Sequence, residues 1–279
     1  MATERDWRAR IPDGMWVKCE SSRCEQLLYI KELQRNLMVC SHCGYHFRLP
    51  ARQRLKITVD PGSFEETDTD LVTLNPLDME GYETKLSKHR ARTGEMEAAV
   101  VGRAKLGGHA ITIGLTDPFF TVGSMGSVVG EKIARCVEHA HDDHCPCILV
   151  SGSGAGARME EGLLSLMQMA KTAAAIGRLR KSGQLCITVL TNPTMAGVYA
   201  SWASLGDVIL AEPGAMIGFA GQRVVKGTKS GLGVEVQSSE FQHEHGMIDL
   251  LVPRSEMRTT LERLVRMAYT APLRKGGGA

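Results

Sequence analysis

Four cysteines near the start of the chain have the spacing of a metal-binding motif. Cys19 and Cys24 frame the segment CESSRC, Cys40 and Cys43 frame CSHC, and fifteen residues separate the two pairs. Two pairs at about this separation are typical of a zinc ribbon, in which four thiolates surround one ion and let a short segment fold. We predict one zinc ion on these cysteines, with unligated thiols or a disulfide as alternatives. His42, inside the second pair, is a further candidate ligand, although a solvated side chain is the simpler interpretation.

Three glycine-rich loops form a second group of candidate functional residues. They read GSMGS (123–127), SGSGAGARM (151–159) and PTMAGV (193–198), and each leads from a strand-like segment into a helix-like one. Backbone N–H groups at the start of a helix lack intrahelical acceptors, so such loops suit an anion or a developing oxyanion. The loops contain no cysteine, histidine or paired carboxylate to act as nucleophile or base. They predict polarisation of a carbonyl group by backbone amides, with the base supplied from elsewhere.

Other kinds of site fit the sequence less well. The second loop does not read G-x-G-x-x-G and lacks the acidic residue of a dinucleotide-binding fold, and no Walker lysine is present. His139, His141 and His144 surround two aspartates and could form a metal cluster. They lie at the end of a predicted helix, where basic residues suit the helix dipole, so a solvated helix end is the favoured interpretation.

The elements that must position the glycine loops alternate between strand and helix. Short β-branched apolar runs predict buried strands at AITIGL (110–115), CILVSGS (147–153), LCITVLT (185–191), DVILAE (207–212) and IDLLVP (248–253). Helical spacing occurs in GSVVGEKIARCVEHA, in a segment with Leu163, Met167, Ala170, Ala174 and Gly177 on one mainly small face, and in one with Met257, Leu261, Leu264 and Ala268 on one side. This alternation predicts an α/β domain with a parallel sheet.

The length of 279 residues accommodates one substantial core and a small appendage. We predict a tail at 1–15, the zinc ribbon at 16–48, a linker and helical segment at 49–97, the main domain at 98–271 and a tail at 272–279.

Charge and hydropathy restrict the partners and the compartment. The net charge of +2 gives no strong case for nucleic acid. No apolar run approaches the length of a membrane span, and the first residues do not resemble a secretion signal. We therefore expect no membrane association and a cytoplasmic location. In that reducing compartment the other cysteines would be buried free thiols, namely Cys136, Cys145, Cys147 and Cys186.

Five ordered motifs carry a resemblance to a known family. They are GSMGSVVG (123–130), GARMEEG (156–162) with SLMQMAKT (165–172), PTMAGVYASWA (193–203), AEPGAMIGFAGQRV (211–224) and EHGMID (244–249). Together with QRNLMVC (34–40) in the ribbon, they closely resemble the carboxyltransferase β subunits of bacterial and plastid acetyl-CoA carboxylase. The resemblance covers essentially residues 16–270. It implies a crotonase-like (ClpP/crotonase) superhelix of stacked ββα units behind the four-cysteine zinc ribbon.

The resemblance also implies a reaction and its partners. A carboxyl group would move from carboxybiotin, on a biotin carboxyl carrier protein, to acetyl-CoA, giving malonyl-CoA for fatty acid biosynthesis. A carboxyltransferase α subunit of related fold would complete each active site, commonly as α2β2, and the chain would be active only with it. The biotin ureido nitrogen would remove the α-proton of the thioester, so the protein would mainly hold oxyanions with backbone N–H groups.

By motif, the resemblance assigns site residues. Ala196 and Gly197 would supply one pair of oxyanion donors, with Gly156 and Ala157 in the neighbouring loop, while Arg158 would anchor its loop. The CoA side of the cleft would be shaped by Gly218, Phe219, Ala220, Gly221 and Arg223.

The chain departs from the family pattern mainly around this cleft. One residue is inserted near Ala155, Ala196 and Gln222 replace a glycine and a proline, and the segment 226–241 differs; the first cysteine pair is also two residues longer. A second hypothesis therefore stays open. It is a paralogue of the same fold that acts on another acyl thioester, as a decarboxylase or specialised biosynthetic enzyme, or a non-catalytic partner subunit.

Overall fold

The computed structural model describes residues 15–219 and 234–270. The chain divides into two compact units, the first ending at Phe47 and the second beginning at Arg48. Residues 48–97 therefore belong to the same compact unit as the strands that follow them. No helix in the described ranges is long and apolar enough to cross a membrane.

The first unit is a small β-hairpin followed by one helix. Strands β1 (Trp16–Lys18) and β2 (Leu27–Tyr29) pair antiparallel, and α1 (Ile30–Arg35) follows directly. The buried core of this unit consists of Cys19, Leu28, Leu33, Cys40 and Phe47. So few apolar side chains do not normally stabilise a fold alone, and two of them are candidate metal ligands.

The second unit is built on a sheet that is seven strands wide in the described residues. Its elements are α2 (Ala51–Thr58), β3 (Glu65–Glu66), α3 (Tyr82–Thr93), β4 (Ala99–Leu106), β5 (His109–Thr116), α4 (Ser127–Asp142), β6 (Cys147–Ser151), α5 (Gly162–Lys181), β7 (Cys186–Leu190), β8 (Thr194–Met195), α6 (Ala196–Tyr199), β9 (Val208–Ala211), β10 (Ile217–Gly218), α7 (Ser239–Glu244), β11 (Leu250–Leu251) and α8 (Arg254–Thr270). The strand order is β11-β9-β7-β6-β5-β4-β3.

The five strands expected from the apolar runs are β5, β6, β7, β9 and β11, and they pair parallel as predicted. The sequence does not predict strand β4, because Gly102, Arg103 and Lys105 interrupt its apolar pattern. This strand pairs antiparallel with β5 and with β3.

Both faces of the sheet are covered, which explains the continuous apolar character of the central strands. In β6, Cys147 and Leu149 pack in the core cluster that includes residues of α4 and α5, whereas Ile148 and Val150 pack in the cluster that includes residues of α2 and α8. Successive side chains of a strand point to opposite faces, so a strand buried on both sides needs apolar residues throughout.

The face of helix α5 that packs on the sheet is not the mainly small face described in the sequence. Its buried residues are Ser165, Gln168, Thr172, Ala175, Ile176 and Leu179. Leu163, Met167, Ala170 and Ala174 do share one face, but that face is exposed. Small and apolar residues occur on both sides of this helix, so periodicity alone does not identify the buried side.

The topology brings the three glycine loops together. The first follows β5, the second follows β6 and the third follows β7, and the carboxyl ends of neighbouring parallel strands lie at one edge of a sheet. A separate two-stranded parallel pair has Thr194 of β8 opposite Ile217 of β10 and Met195 opposite Gly218. It contacts the second loop, because the Met195 N–H donates to the Ser153 carbonyl at 2.9 Å.

Candidate functional site

The four cysteines of the first unit converge on one point. Their Sγ atoms all lie within 4.8 Å of one another. The Sγ atoms of Cys19 and Cys43 are 3.6 Å apart, and those of Cys24 and Cys40 are 3.9 Å apart. A tetrahedral zinc site with Zn–S bonds of about 2.3 Å has S···S edges of about 3.8 Å. The cluster therefore has the donor set and the dimensions of a structural zinc site.

The backbone around Cys40 supports a thiolate ligand. Burial raises the pKa of Cys40, but the backbone N–H groups of Cys43 and His42 and the neighbouring thiols outweigh it and hold that pKa below its ordinary value. Burial raises the pKa of Cys19 and of Cys43, so Cys40 is the thiol that the protein itself prepares as a thiolate. His42 itself is exposed and does not belong to the group of convergent ligand atoms. The two extra residues of the first cysteine pair form a turn, in which Ser21 accepts hydrogen bonds from the N–H groups of Cys24 and Glu25.

In the second unit, the second and third glycine loops are in direct backbone contact. A Cβ atom built on Gly156 would lie 2.5 Å from the backbone nitrogen of Gly197 and 2.7 Å from the Cβ of Ala196. A Cβ built on Gly197 would lie 3.2 Å from the nitrogen of Ala157. Contacts below 3.0 Å leave no space for a side chain, so Gly156 must be glycine if the two loops are to meet.

The N–H groups of Ala157 and Gly197, like those of Gly156 and Ala196, donate no hydrogen bond within the described part of the chain. Gly197 lies in the first turn of α6, where N–H groups have no intrahelical acceptor. The neighbours of Ala157 are both paired with Met125, which donates to the carbonyl of Gly156 and accepts from the N–H of Arg158. Two unpaired N–H groups on facing backbones can stabilise one oxyanion.

A buried network of hydrogen bonds around Arg158 holds the second loop in place. The Arg158 guanidinium donates to the Glu97 carboxylate at 2.7 Å, to the Tyr82 hydroxyl at 3.0 Å and to the Ser124 carbonyl at 3.0 Å. It also lies 3.3 Å from Glu161, and Arg158, Glu97 and Glu161 are all buried. One side chain thus ties together the first loop, the second loop and the segment before β4.

Glu161 extends this network to helix α4. Its carboxylate accepts the Tyr82 hydroxyl at 2.7 Å and the backbone N–H of Ser127 at 2.6 Å, at the start of α4. A Cβ on Gly126 would overlap the same carboxylate, so a side chain at the start of α4 would displace Glu161 from the N–H of Ser127.

The ion pair between Arg158 and Glu97 keeps its charges despite burial. Burial raises the pKa of Glu97, but the Arg158 charge and the hydrogen bonds to Glu97 outweigh it and hold the pKa below its usual range. Burial also raises the pKa of the Tyr82 hydroxyl, which stays protonated and can donate to Glu161. A buried ion pair that is hydrogen-bonded on all sides is costly to break, so this cluster can hold its loop rigidly.

The sequence predicted Arg158 as an anchor but missed its partners. Glu97, Tyr82 and Thr73 come from the segment expected to be a linker and helix, and the Thr73 hydroxyl donates to the Glu97 carboxylate. A weak signal for Glu97 exists, because its carboxylate directly precedes the apolar run Ala98–Val101.

The residues predicted on the CoA side are only partly within the described structure. Gly218 lies in β10 beside Met195, and Phe219, which follows it, is 68% exposed. Ala220, Gly221 and Arg223 lie outside the described residues, as do Gln222 and the first part of 226–241.

The remaining candidate residues, which are histidines and cysteines, make ordinary structural contacts. His139 lies 3.4 Å from Asp68 and His141 lies 3.1 Å from Asp142, both near the end of α4. The four cysteines of the second unit are free and buried, as expected. Within the described residues, the only convergent group of possible metal ligands is the one formed by the cysteines of the first unit.

Two known domain families match the chain. The carboxyl transferase domain matches residues 47–250, and the acetyl-CoA carboxylase zinc finger domain matches residues 16–43. Together these matches and the cysteine cluster confirm the expected crotonase-like fold class and the zinc ribbon.

Curated relatives resemble nearly the whole chain. The acetyl-coenzyme A carboxylase carboxyl transferase subunit beta of Desulforamulus reducens is 50% identical over 269 residues, which are 96% of this chain and 92% of the relative. The protein of the same name from Desulforudis audaxviator is 51% identical over 261 residues, covering 93% of this chain and 94% of the relative.

Solved structures share the fold at lower identity. A Pseudomonas malonate decarboxylase hetero-dimer chain superposes with a TM-score of 0.61 and 26% identity, over 78% of this chain and 86% of that one. A transcarboxylase 12S structure with methylmalonyl-coenzyme A bound gives a TM-score of 0.68 at 21% identity, over 84% of this chain and 42% of that one. The latter supports the fold alone.

Proposed function

This chain belongs to the carboxyl transferase family, and on that premise we propose that it is the carboxyltransferase β subunit of an acetyl-CoA carboxylase. The substrates are carboxybiotin, presented by a biotin carboxyl carrier protein, and acetyl-CoA; the product is malonyl-CoA. The names of the curated relatives support this assignment. The single structural observation that carries it is the contact between the second and third glycine loops, which places two unpaired N–H groups on facing backbones.

We assign the N–H groups of Ala157 and Gly197 to an oxyanion that forms during carboxyl transfer. The α-carbon of the thioester forms a bond to the carboxyl carbon, the bond from that carbon to the biotin nitrogen breaks, and the α-proton passes to this nitrogen. Negative charge develops on oxygen, where fixed N–H donors stabilise it without reorganisation. Gly156 and Ala196 belong to the same two facing segments, and the absence of a side chain on Gly156 sets the separation of the two donors.

The glycine loops provide donors but no side-chain base, so the proposal includes a second subunit. We propose that a carboxyltransferase α subunit docks beside the second loop and that the complex is α2β2. The support for the docking position is a group of exposed apolar side chains at the start of α5 and next to it. Met159 is 88% exposed and Leu163 is 69% exposed, and Leu166 and Met167 are more than half exposed. Leu77 joins this group, because a Cβ on Gly162 would lie 3.2 Å from its side chain.

Such a patch is unusual on an isolated protein and is typical of an interface. The free cysteines of the zinc ribbon suit a cytoplasmic location, because a reducing compartment keeps thiols available to the metal.

Co-expression with the cognate α subunit tests the assignment. We expect the complex to decarboxylate malonyl-CoA with biotin as acceptor and the isolated chain to be inactive. Full turnover by the isolated chain would contradict the partner proposal. Decarboxylation of a malonyl thioester without biotin would instead favour the paralogue hypothesis, to which the malonate decarboxylase resemblance gives some weight.

A charge substitution tests the docking surface. Leu163→Glu should abolish co-purification with the α subunit while the chain stays folded, because an unpaired charge would be buried in the interface. Met267→Lys is the matched control, since Met267 is similarly exposed, at 65%, on α8. Equal loss of assembly in both variants would show that this face is not the docking surface.

A further inference from the structure

Val122 has a backbone conformation that is unusual for its residue type. Its φ is 58° and its ψ is 26°, in the left-handed region, between Thr121 at φ 43° and Gly123 at φ 70°. Left-handed backbone is uncommon for any residue except glycine, and for a β-branched residue it is an outlier that the surroundings must enforce.

Burial does not enforce this conformation, because Val122 is 46% exposed. Backbone contacts enforce it instead. The Val122 carbonyl accepts the N–H of Gly154 at 2.9 Å, and Arg158 donates to the hydroxyl of the preceding Thr121 at 3.2 Å. The network that holds the second glycine loop therefore also holds Val122, and its isopropyl group has little freedom to move away.

The side chain lies against the second glycine loop. A Cβ on Gly154 would lie 2.8 Å from the Val122 Cγ1 and 2.9 Å from the Pro193 Cγ. Two residues further along the loop, Gly156 faces the Cβ of Ala196 in the same way. Val122 and Pro193 therefore flank the loop at Gly154, and Ala196 flanks it at Gly156, next to the residues that carry the unpaired N–H groups.

We propose that Val122 is a specificity-determining residue that restricts the acyl group to two carbons. This inference rests on the proposed function, since it takes the thioester carbonyl to lie at the two N–H groups. In this proposal the carbons beyond the α-carbon extend past the apolar groups that flank the loop, where the fixed isopropyl group of Val122 occupies space. One methylene is worth roughly 10- to 200-fold in discrimination by an apolar pocket. The substrate class is therefore the shortest acyl-CoA thioesters.

The test compares acetyl-CoA with propionyl-CoA and butyryl-CoA in the assembled complex with the α subunit. Val122→Ala and Val122→Gly should each raise the ratio of kcat/KM for propionyl-CoA over acetyl-CoA by about tenfold or more, on the scale of one methylene. Val122→Thr, which keeps the branched shape, should retain the wild-type ratio. His144→Gly controls for relief of backbone strain, since His144 also has a positive φ, 51°, but lies beyond the end of α4.

The two main variants distinguish the effect of the Val122 side chain from the effect of its backbone conformation. Alanine removes the methyl groups but retains Cβ, whereas glycine also relieves the left-handed strain. A change in the ratio for Val122→Gly but not for Val122→Ala would overturn the inference, because backbone geometry would then set specificity. The inference would also be overturned by unchanged ratios in both variants, or by an equal loss of kcat/KM with all three substrates.

Binding provides a readout that does not depend on turnover. We expect calorimetry to show that butyryl-CoA gains affinity relative to acetyl-CoA in Val122→Ala. If the wild-type complex transfers no carboxyl group but this selectivity still changes, the proposed function fails and the role of Val122 holds. If transfer is normal and the selectivity of both binding and turnover is unchanged, the role of Val122 fails alone.

Discussion

The zinc ribbon and the second glycine loop are both segments without a large core of their own, yet they are held in place by different means. In the ribbon, four Sγ atoms within 4.8 Å of one another converge on a single metal site. In the glycine loop, the Arg158 guanidinium distributes its hydrogen bonds over several segments, and Gly156 contacts the facing backbone of the third loop directly.

This difference predicts different responses to change. A metal centre is one strong constraint, so the chain between its ligands can vary, as the turn at Ser21 in the longer first cysteine pair illustrates. A packed loop has many small constraints, each of which sets the position of an N–H donor, and a misplacement of about 1 Å can cost about a hundredfold in rate.

Removal of the metal should have the largest effect, and it should be confined to the ribbon. Structural zinc sites contribute about 10–16 kcal/mol of apparent binding free energy, which here is folding free energy of the first unit. Cys40→Ser should abolish the single zinc ion per chain and expose the amides of residues 16–47 to rapid hydrogen exchange. The second unit should keep its protection, because it has separate core clusters.

His42→Ala is the matched control for that experiment, since this exposed side chain lies inside the same cysteine pair. It should retain the metal. Loss of zinc in His42→Ala would contradict the four-cysteine assignment. Global unfolding of Cys40→Ser would contradict the independence of the two units.

Glu97→Gln should have the next largest effect, because it leaves the Arg158 charge without its main partner. Breaking a buried ion pair by removing one partner costs about 3–5 kcal/mol. We expect this loss in the free energy of unfolding, measured by urea denaturation. Glu160→Gln is the control, because its ion pair with Lys85 is partly exposed and should contribute at most about 1 kcal/mol. A similar loss of unfolding free energy in Glu97→Gln and Glu160→Gln would mean that Arg158 does not anchor the second loop.

A second buried ion cluster makes the second unit sensitive to acid without any metal. Burial raises the pKa of Glu212, but Arg54 and Arg254 outweigh it and hold that pKa at about 2, against an ordinary value of 4.5. The folded state thus favours the charged form, and its stabilisation is complete above pH 4.5 and lost as the pH falls towards 2. The difference corresponds to about 3 kcal/mol. Unfolding free energies at pH 6, 4 and 3 should fall more steeply in the wild type than in Glu212→Gln.

The contrast between the two regions also explains what the sequence could predict. Cys19, Cys24, Cys40 and Cys43 are recognisable because a metal site restricts residue type and spacing locally. The strands on either side of the second loop are recognisable because burial on both faces requires an apolar run. The pairing of Arg158 with Glu97 could not be predicted, since the two residues are 61 positions apart and nothing local specifies the partner of a buried charge.

The exposed face of α5 was hard to predict for a related reason. Leu163 and Met167 have the apolar character of a core face, but Ile176 and Leu179 on the other side of the helix are the ones that pack on the sheet. A helix that contacts both its own core and a partner is apolar on two sides, and periodicity then does not separate them.

Gly156→Ala should test the packed loop by the smallest possible addition of atoms. The new methyl group would meet the nitrogen of Gly197 and the Cβ of Ala196, so the two loops must separate and the N–H donors must move. We expect kcat to fall by at least about a hundredfold, the scale for loss of one oxyanion donor, with KM for acetyl-CoA little changed. Gly177→Ala is the control, because a Cβ at that glycine meets nothing within 4 Å. Normal turnover by Gly156→Ala would refute the oxyanion assignment.

Ala196→Gly should have the smallest effect and the opposite sign. Ala196 has a φ of 54°, a left-handed conformation that costs an L-residue roughly 1–2 kcal/mol and glycine almost nothing. Part of this gain is offset because glycine is more flexible in the unfolded chain. We therefore expect a net stabilisation of up to about 1 kcal/mol, with kcat for acetyl-CoA unchanged or slightly raised because the N–H group of residue 197 keeps its position. Asp78→Gly, at a φ of 50° in a separate turn, should give a similar stabilisation and no change in kcat. If Ala196→Gly instead lowers kcat sharply, the Ala196 methyl group is needed to hold the third loop against Gly156, and the constraint on the donors lies in that side chain as well as in the backbone.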